Sequence, residues 1–289
     1  MKLALGSAQF GLDYGISNTH GQVEISEVEN ILQIAKKNGI NTIDTAVVYG
    51  NSESILGKAG VDKFDIVTKL PPIPIEVNDI DLWVNNHITS SLKKMRINSV
   101  SGLLLHKSSD LFETPNRLLL DSLYKLKKDS IVKKIGVSIY NPDELDALEE
   151  HDIKFDIVQA PFNILDRRLE TSGWLNKLNL AGIELHTRSI FLQGLLLQDE
   201  DQRNPYFNRW SGYFKKFNEW VSDTKQTPLS ASLNFSYSYD KINKIIVGVQ
   251  SESQLTEILI SITQDSQFSM PSDLEIDDPM LINPTNWNL

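Results

Sequence analysis

A (β/α)8 barrel, the TIM-barrel architecture, is the fold class this sequence predicts, on three observations. Eight short β-like runs recur through a chain of 289 residues. Helical signals fill the gaps between them. Most of the runs are near-continuous apolar stretches, the pattern of parallel strands covered on both faces. Strands alternating with helices make an α/β sheet that is either closed or open and doubly wound. Eight strands in a chain of this length favour the closed form. The expectation is one barrel domain over residues 1–289 with an extended C-terminal tail.

The strand runs are "KLALGSA" (2–8), "NTIDTA" (41–46), "DIVTKL" (65–70), "SGLLLHK" (101–107), "KKIGVSI" (133–139), "DIVQAPF" (156–162), "GIELHTRS" (182–189) and "KIIVGV" (244–249). Between the first two, "SEVENILQIAKKNG" opens on Ser26 and Glu29 in capping-box spacing and stops at Gly39. In 79–97, Ile80, Val84, Ile88, Leu92 and Met95 repeat every three to four residues, as one face of a helix does. Asn141 and Pro142 place a cap and a first-turn proline before "DELDALEE", and Thr227 and Pro228 do the same before "LSASLNF". Ser251 and Gln254 again have capping-box spacing.

Two segments fall outside the alternation. The connection 196–227 is long, polar and aromatic, and connections of that length often carry function. Its Trp210, Tyr213 and Phe214, like Phe10 and Tyr14 after the first strand, either wall a substrate pocket or simply pack. The tail after 262 is irregular, carries Pro271, Pro279 and Pro284, and is expected to pack across a face of the barrel.

Composition narrows the function classes. A formal net charge of −10 argues against a nucleic-acid surface, which needs a positive stripe. Without cysteine there can be no disulfide, thiolate nucleophile or Cys-ligated zinc, and the histidines show no metal spacing. The first residues lack the pattern of a secretory signal, and no apolar run approaches the roughly 20 residues of a membrane helix. A cytoplasmic protein acting on a small molecule fits these features.

In such a barrel the working residues sit at the C-terminal strand ends. Those ends carry Asp44, Lys69 and His106 on the second, third and fourth strands, with Tyr49 five residues beyond Asp44. Each has an ordinary explanation alone: a helix cap, a solvated lysine, a structural histidine, a rim aromatic. Together, in barrel order, they suit proton donation to a carbonyl. Tyrosine ionises near pH 10, and a buried lysine beside it would favour the phenolate. A carboxylate next to that lysine would keep it charged. A nearby histidine could hydrogen-bond a substrate carbonyl.

"INTIDTAVVYGNSESILGKA", with its Asp, the Tyr five residues on and the following G-x-S-E-x-x-L-G run, resembles the signature of the aldo-keto reductase superfamily. "DIVTKL", "LLLHK", "KKIGVSIYNPDEL", "IVQAPFNILDRR" and "IIVGVQSESQLTEIL" resemble its later blocks in the same order. The resemblance covers roughly residues 3–260. It implies that Tyr49 is the general acid, that Asp44 and Lys69 tune it, and that His106 orients the carbonyl. It implies an extended NADPH or NADH across the barrel mouth. Asp44 would border that cofactor. Ser138 and Gln159 would hold its carboxamide, and Arg188 would cover the nicotinamide. Ser189 and the run through Gly194 would line the pyrophosphate. Gly248, Gln254 and Glu257 would grip the adenosine end.

Three departures stand out. Arg188 replaces the ring-stacking aromatic of many relatives; a guanidinium can also stack, or it can turn away to a carboxylate. "GVQSESQLTEI" has no basic residue for a 2′-phosphate and carries Glu252 and Glu257, so NADH stands beside NADPH. Ile258 stands where an Asn is common. The short form with "RSIFLQGLLL" is similar to members tied to bacterial surface-polysaccharide synthesis, which suggests a sugar-like carbonyl substrate. Non-enzymatic relatives of the fold leave an alternative, an NAD(H)-binding regulator acting through a protein partner. Oligomeric state is not readable from the chain.

Overall fold

The eight apolar runs form eight parallel strands in the computed structural model of the chain, which describes residues 1–18, 20–113, 116–262 and 271–289. They are β1 (Leu3–Gly6), β2 (Thr42–Asp44), β3 (Asp65–Leu70), β4 (Val100–Leu105), β5 (Val132–Ser138), β6 (Ile157–Pro161), β7 (Glu184–Arg188) and β8 (Lys244–Gly248). Each strand pairs with the next in sequence, and β8 returns to β1 with Leu3 opposite Ile245 and Gly6 opposite Gly248. The barrel is therefore closed, and no strand edge is left to pair with another chain.

Outside the strands lie α1 (Ile25–Lys37), α2 (Ser52–Ala59), α3 (Ile80–Met95), α4 (Asn116–Lys128), α5 (Asp143–Glu150), α6 (Trp174–Leu180), α7 (Ser211–Asp223), α8 (Pro228–Tyr237) and α9 (Glu252–Ser261). Their apolar faces and the outer faces of the strands form one large buried cluster. In α3, Ile80, Val84, Ile88 and Met95 are buried as the spacing requires, while Leu92 packs at the margin.

A second, separate cluster holds only Val67, Leu104 and Ile157. These come from β3, β4 and β6, so they meet across the barrel lumen. Side chains alternate along a strand. Two residues further on, the same inward face presents Lys69, His106 and Gln159. The lumen plug thus fixes which side chains form the top interior layer.

Helix starts follow the capping signals with two corrections. Thr227 accepts from Ser230 N, and Ser251 accepts from Gln254 N, as their spacing suggests. Ser26, however, lies inside α1, which opens at Ile25 without a side-chain cap. The apolar register of Val28, Ile31, Leu32 and Ala35 sets that boundary, not the serine. At α5 the helix starts at Asp143, one residue after the proline, and Asn141 still accepts from Asp143 N at 3.3 Å.

The long connection after β7 is largely structural. Phe207, Trp210, Phe214 and Phe217 are buried, and Trp210 donates its indole N–H to Asp278 of the tail at 2.9 Å. Leu274, Ile276, Leu281 and Ile282 of the tail are buried as well. Ile276 N donates to Leu165 O in the loop after β6, so the described tail packs beside the C-terminal rim. The tail positions 263–270 lie outside the described residues.

Candidate active site

Asp44 ends β2, and the chain beyond it stays paired to β3 before turning. Thr45 N donates to Val67 O and Val47 N donates to Lys69 O. Tyr49 N then donates to Ala46 O, which brings the phenol back over the strand ends. The serine and glutamate of the G-x-S-E run are ties, not pocket groups. Ser52 Oγ bonds Ser7 O at 2.9 Å and Ser7 Oγ at 2.8 Å, and buried Glu53 accepts from Thr68 Oγ1 at 2.9 Å. They lock α2 against β1 and β3, and so fix the loop that carries Tyr49.

Lys69 is wholly buried behind Asp44. Its Nζ lies 2.7 Å from both carboxylate oxygens and 2.9 Å from Thr45 O. It also sits 5.2 Å from the centroid of the Tyr49 ring. The Tyr49 and His106 rings meet edge to face, with centroids 6.0 Å apart at 84°. Buried His106 Nδ1 has no hydrogen-bond partner within the protein. The four residues nominated at the strand ends are thus brought together.

The electrostatics differ from the expectation in one respect. The phenol of Tyr49 is pushed up from its ordinary value, first by burial and then by the Asp44 carboxylate, with Arg188 opposing. Lys69 directs its hydrogen bonds to Asp44 and Thr45, so its charge is largely neutralised there and does not outweigh desolvation. Lys69 itself is drawn down by burial, with Asp44 opposing. His106 is pushed down to about 4 by burial, then by Lys69 and Arg188. At neutral pH the site therefore holds a protonated phenol and a neutral imidazole.

Asp44, Tyr49 and His106 face a cavity of about 670 Å3 that runs across the barrel mouth, a size suited to a small organic ligand. Ser138, Gln159, Arg188, Ser189, Gly194, Gly248, Gln254 and Glu257 all line the same cavity. Ser138 and Gln159 are register partners on β5 and β6. Gln159 Nε2 donates to Asp44 Oδ1 at 2.7 Å, while its buried Oε1 has no partner. That orphaned acceptor belongs to a residue lining the cavity and suits an amide donor.

Among the described residues Arg188 pairs with no carboxylate. Its guanidinium lies over the Tyr140 ring, 4.3 Å from the centroid, and donates to Ile139 O and Ser189 Oγ. Ser189, Leu192, Gln193 and Gly194 follow with positive φ. Only glycine fits at 194: with φ at 95°, an added Cβ would come within 2.1 Å of Ser17 Oγ. This brings the loop after β7 against the loop after β1, where Tyr14 OH accepts from Gln193 Nε2 at 3.3 Å. At the other end a Cβ on Gly248 would come within 2.6 Å of the Gln9 carboxamide, so glycine there lets Gln9 lie across the strand end.

The rim aromatics divide. Tyr14 lines the cavity, whereas Phe10, Trp210 and Phe214 are buried away from it. Tyr140 and Gln9 were not singled out in sequence; Tyr140 could have been found as the residue two beyond Ser138. Among the described residues no group of His, Asp and Glu could hold a metal ion, and no helix is long and apolar enough to cross a membrane.

The sequence model of the Aldo/keto reductase family matches residues 2–270 of this chain. Among curated proteins, the NADH-specific methylglyoxal reductase of Escherichia coli K12 is 28% identical over 58% of this chain and 57% of its own length. The chloroplastic pyridoxal reductase of Arabidopsis thaliana is 25% identical over 59% of this chain and 52% of its own. The chain thus spans little more than half the length of these relatives. The L-glyceraldehyde 3-phosphate reductase of E. coli K12 is 23% identical over 85% of this chain and 82% of its own. Among solved structures, an aldo-keto reductase of Bacillus halodurans in its holo form superposes with a TM-score of 0.73, at 17% identity, over 93% of this chain and 88% of that one. The glycerol dehydrogenase of Gluconobacter oxydans does so with 0.72, at 20% identity, over 92% and 87%. At those identities the structural likeness speaks for the barrel alone.

Proposed function

The chain belongs to the aldo/keto reductase family, and from that premise we propose that it reduces an aldehyde or ketone to the alcohol with NADPH or NADH. The observation that carries the proposal is the convergence of Asp44, Tyr49, Lys69 and His106 at one end of a single cavity.

The donor set suits a nicotinamide cofactor. A carboxamide offers an N–H to the orphaned Gln159 Oε1 and a carbonyl to the Ser138 hydroxyl beside it. Arg188 and Tyr140 would flank the ring, Ser189 and Gly194 the pyrophosphate, and Gly248, Gln254 and Glu257 the adenosine end. The cofactor, when bound, supplies the hydride for the carbonyl carbon. Everything else falls to the chain. The carbonyl oxygen gains negative charge as the carbon is reduced, and Tyr49 gives it a proton. Because burial keeps that phenol protonated at neutral pH, the acid is in its competent form. Neutral His106 offers a ring N–H to the same oxygen and fixes the carbonyl's orientation. The Arg188 charge steadies the phenolate that proton transfer leaves. Water reaching the open cavity restores the proton.

Small polar carbonyl compounds fit this reading. The relatives are named for methylglyoxal, pyridoxal and L-glyceraldehyde 3-phosphate. The resemblance to members tied to surface-polysaccharide synthesis extends the proposal to sugar-like aldehydes and ketones. The test is cofactor oxidation by the purified chain with methylglyoxal, glyceraldehyde and a panel of sugar carbonyls. Turnover with at least one is expected. Tight cofactor binding with no turnover across the panel would contradict the proposal and favour a cofactor-sensing regulator.

A further inference from the structure

If the cavity holds a nicotinamide dinucleotide, as proposed above, its orientation follows from the geometry. The reacting end must reach Tyr49 and His106. The adenosine end must then lie where the cavity meets Gly248, Gln250, Gln254 and Glu257, at the start of α9. Helix starts are natural phosphate sites, because their first amides point outward unpaired.

Two of the first three amides of α9 are already taken. Glu252 N donates to Glu27 Oε1 of α1 at 2.6 Å. Gln254 N donates to Ser251 Oγ at 3.2 Å, and Gln250 N donates to Gln254 Oε1 at 2.8 Å. One of these acceptors is a full carboxylate, delivered from a helix 225 residues away in sequence. Glu252 in the first turn of α9 and Glu257 in the second are both exposed, and Glu257 lines the cavity. Arg188 is the one arginine or lysine among the described residues lining the cavity, and it stands at the reacting end.

We infer that Glu27, seated on the first amide of α9, makes this groove select NADH over NADPH. The two cofactors differ by a 2′-phosphate carrying a charge of roughly −1.5 to −2. A phosphate at this helix start would stand against the Glu27 carboxylate on the first amide and near Glu257, with no arginine or lysine among the described residues lining that end of the cavity. A ribose 2′-hydroxyl is uncharged and meets no such barrier. Glu27 is therefore a specificity-determining residue that touches the helix start and not the reacting atoms.

The experiment is a titration of tryptophan fluorescence with NADH and with NADPH, on the wild-type chain and on Glu27→Gln and Glu27→Lys. Wild type is expected to bind NADH at least about tenfold more tightly than NADPH. Glu27→Gln should keep the NADH Kd within about twofold while tightening NADPH several-fold, and Glu27→Lys should bring the two together or invert them. Thermal midpoints measured without cofactor serve as the folding control. Equal or tighter NADPH binding by wild type overturns the inference, as does an NADPH-to-NADH ratio that neither substitution moves. If neither dinucleotide binds any of the three proteins, the cofactor reading falls, and this inference falls with it.

Discussion

Gln159 Nε2 and Asp44 Oδ1 lie 2.7 Å apart, on the oxygen that also accepts from Lys69 Nζ. This contact turns the Gln159 carboxamide so that its nitrogen is tied down and its Oε1 is left over, buried and unpaired. Asp44 thus holds a buried cation with one hand and frees an acceptor on a cavity-lining residue with the other.

Removing Asp44 or Lys69 alone leaves a buried charge without its partner, and each loss should cost about 3–5 kcal/mol. The expectation for Lys69→Met and for Asp44→Asn is a marked drop in the urea midpoint. The double variant should lose much less than the sum of the two, since it buries no lone charge. Additive losses would mean that the pair is not coupled.

His106 gives the stability a pH dependence. Its folded value is pushed down to about 4, below the ordinary value of about 6.5. As pH falls from 6.5 towards 4, the unfolded chain binds a proton that the folded chain refuses, so stability is lost through that window. His106→Gln should flatten the fall in denaturant midpoint between those two pH values. Parallel curves for the two proteins would count against the assignment.

Arg188 pushes His106 down and pulls Tyr49 down through the same field. With Arg188→Met, the His106 ring should titrate at higher pH, closer to its ordinary value, when followed by NMR. Tyr49 should move the other way and resist ionisation further. A His106 midpoint that stays where it was would show that Arg188 faces elsewhere in solution.

Gly194→Ala combines an unfavourable φ with a clash on Ser17. The expected cost is about 1–3 kcal/mol, read by thermal or chemical denaturation. Dinucleotide binding should weaken as well, because the loop after β7 can no longer close on the loop after β1. An unchanged stability would mean the loop relaxes freely.

The barrel was legible because parallel strands buried on both faces write themselves as unbroken apolar runs, each bounded by a helix signal. The strand-end residues were legible for the same reason: once "GLLL" is a strand, His106 is its end. What escaped notice depends on distant contacts. Glu27 looks like an ordinary first-turn acid until α1 is seen beside α9. Ser26 mimics a cap because the motif is short, but the buried register of α1 overrides it. Trp210, Tyr213 and Phe214 are candidate pocket walls in the sequence, yet a chain crossing the outside of a barrel needs its own apolar anchor, and buried Trp210 and Phe214 supply it. Burial, which a sequence does not quantify, also reverses the expected effect on Tyr49.

The most direct measurement is single-turnover reduction of a reactive aldehyde by wild type and by Tyr49→Phe, each saturated with reduced cofactor. The substitution removes one hydroxyl and keeps the ring that meets His106, so cofactor Kd and folding should change little. The account predicts a rate loss of roughly 10²–10⁴-fold, the usual contribution of a positioned general acid. A Phe variant that reduces the aldehyde at the wild-type rate would contradict it.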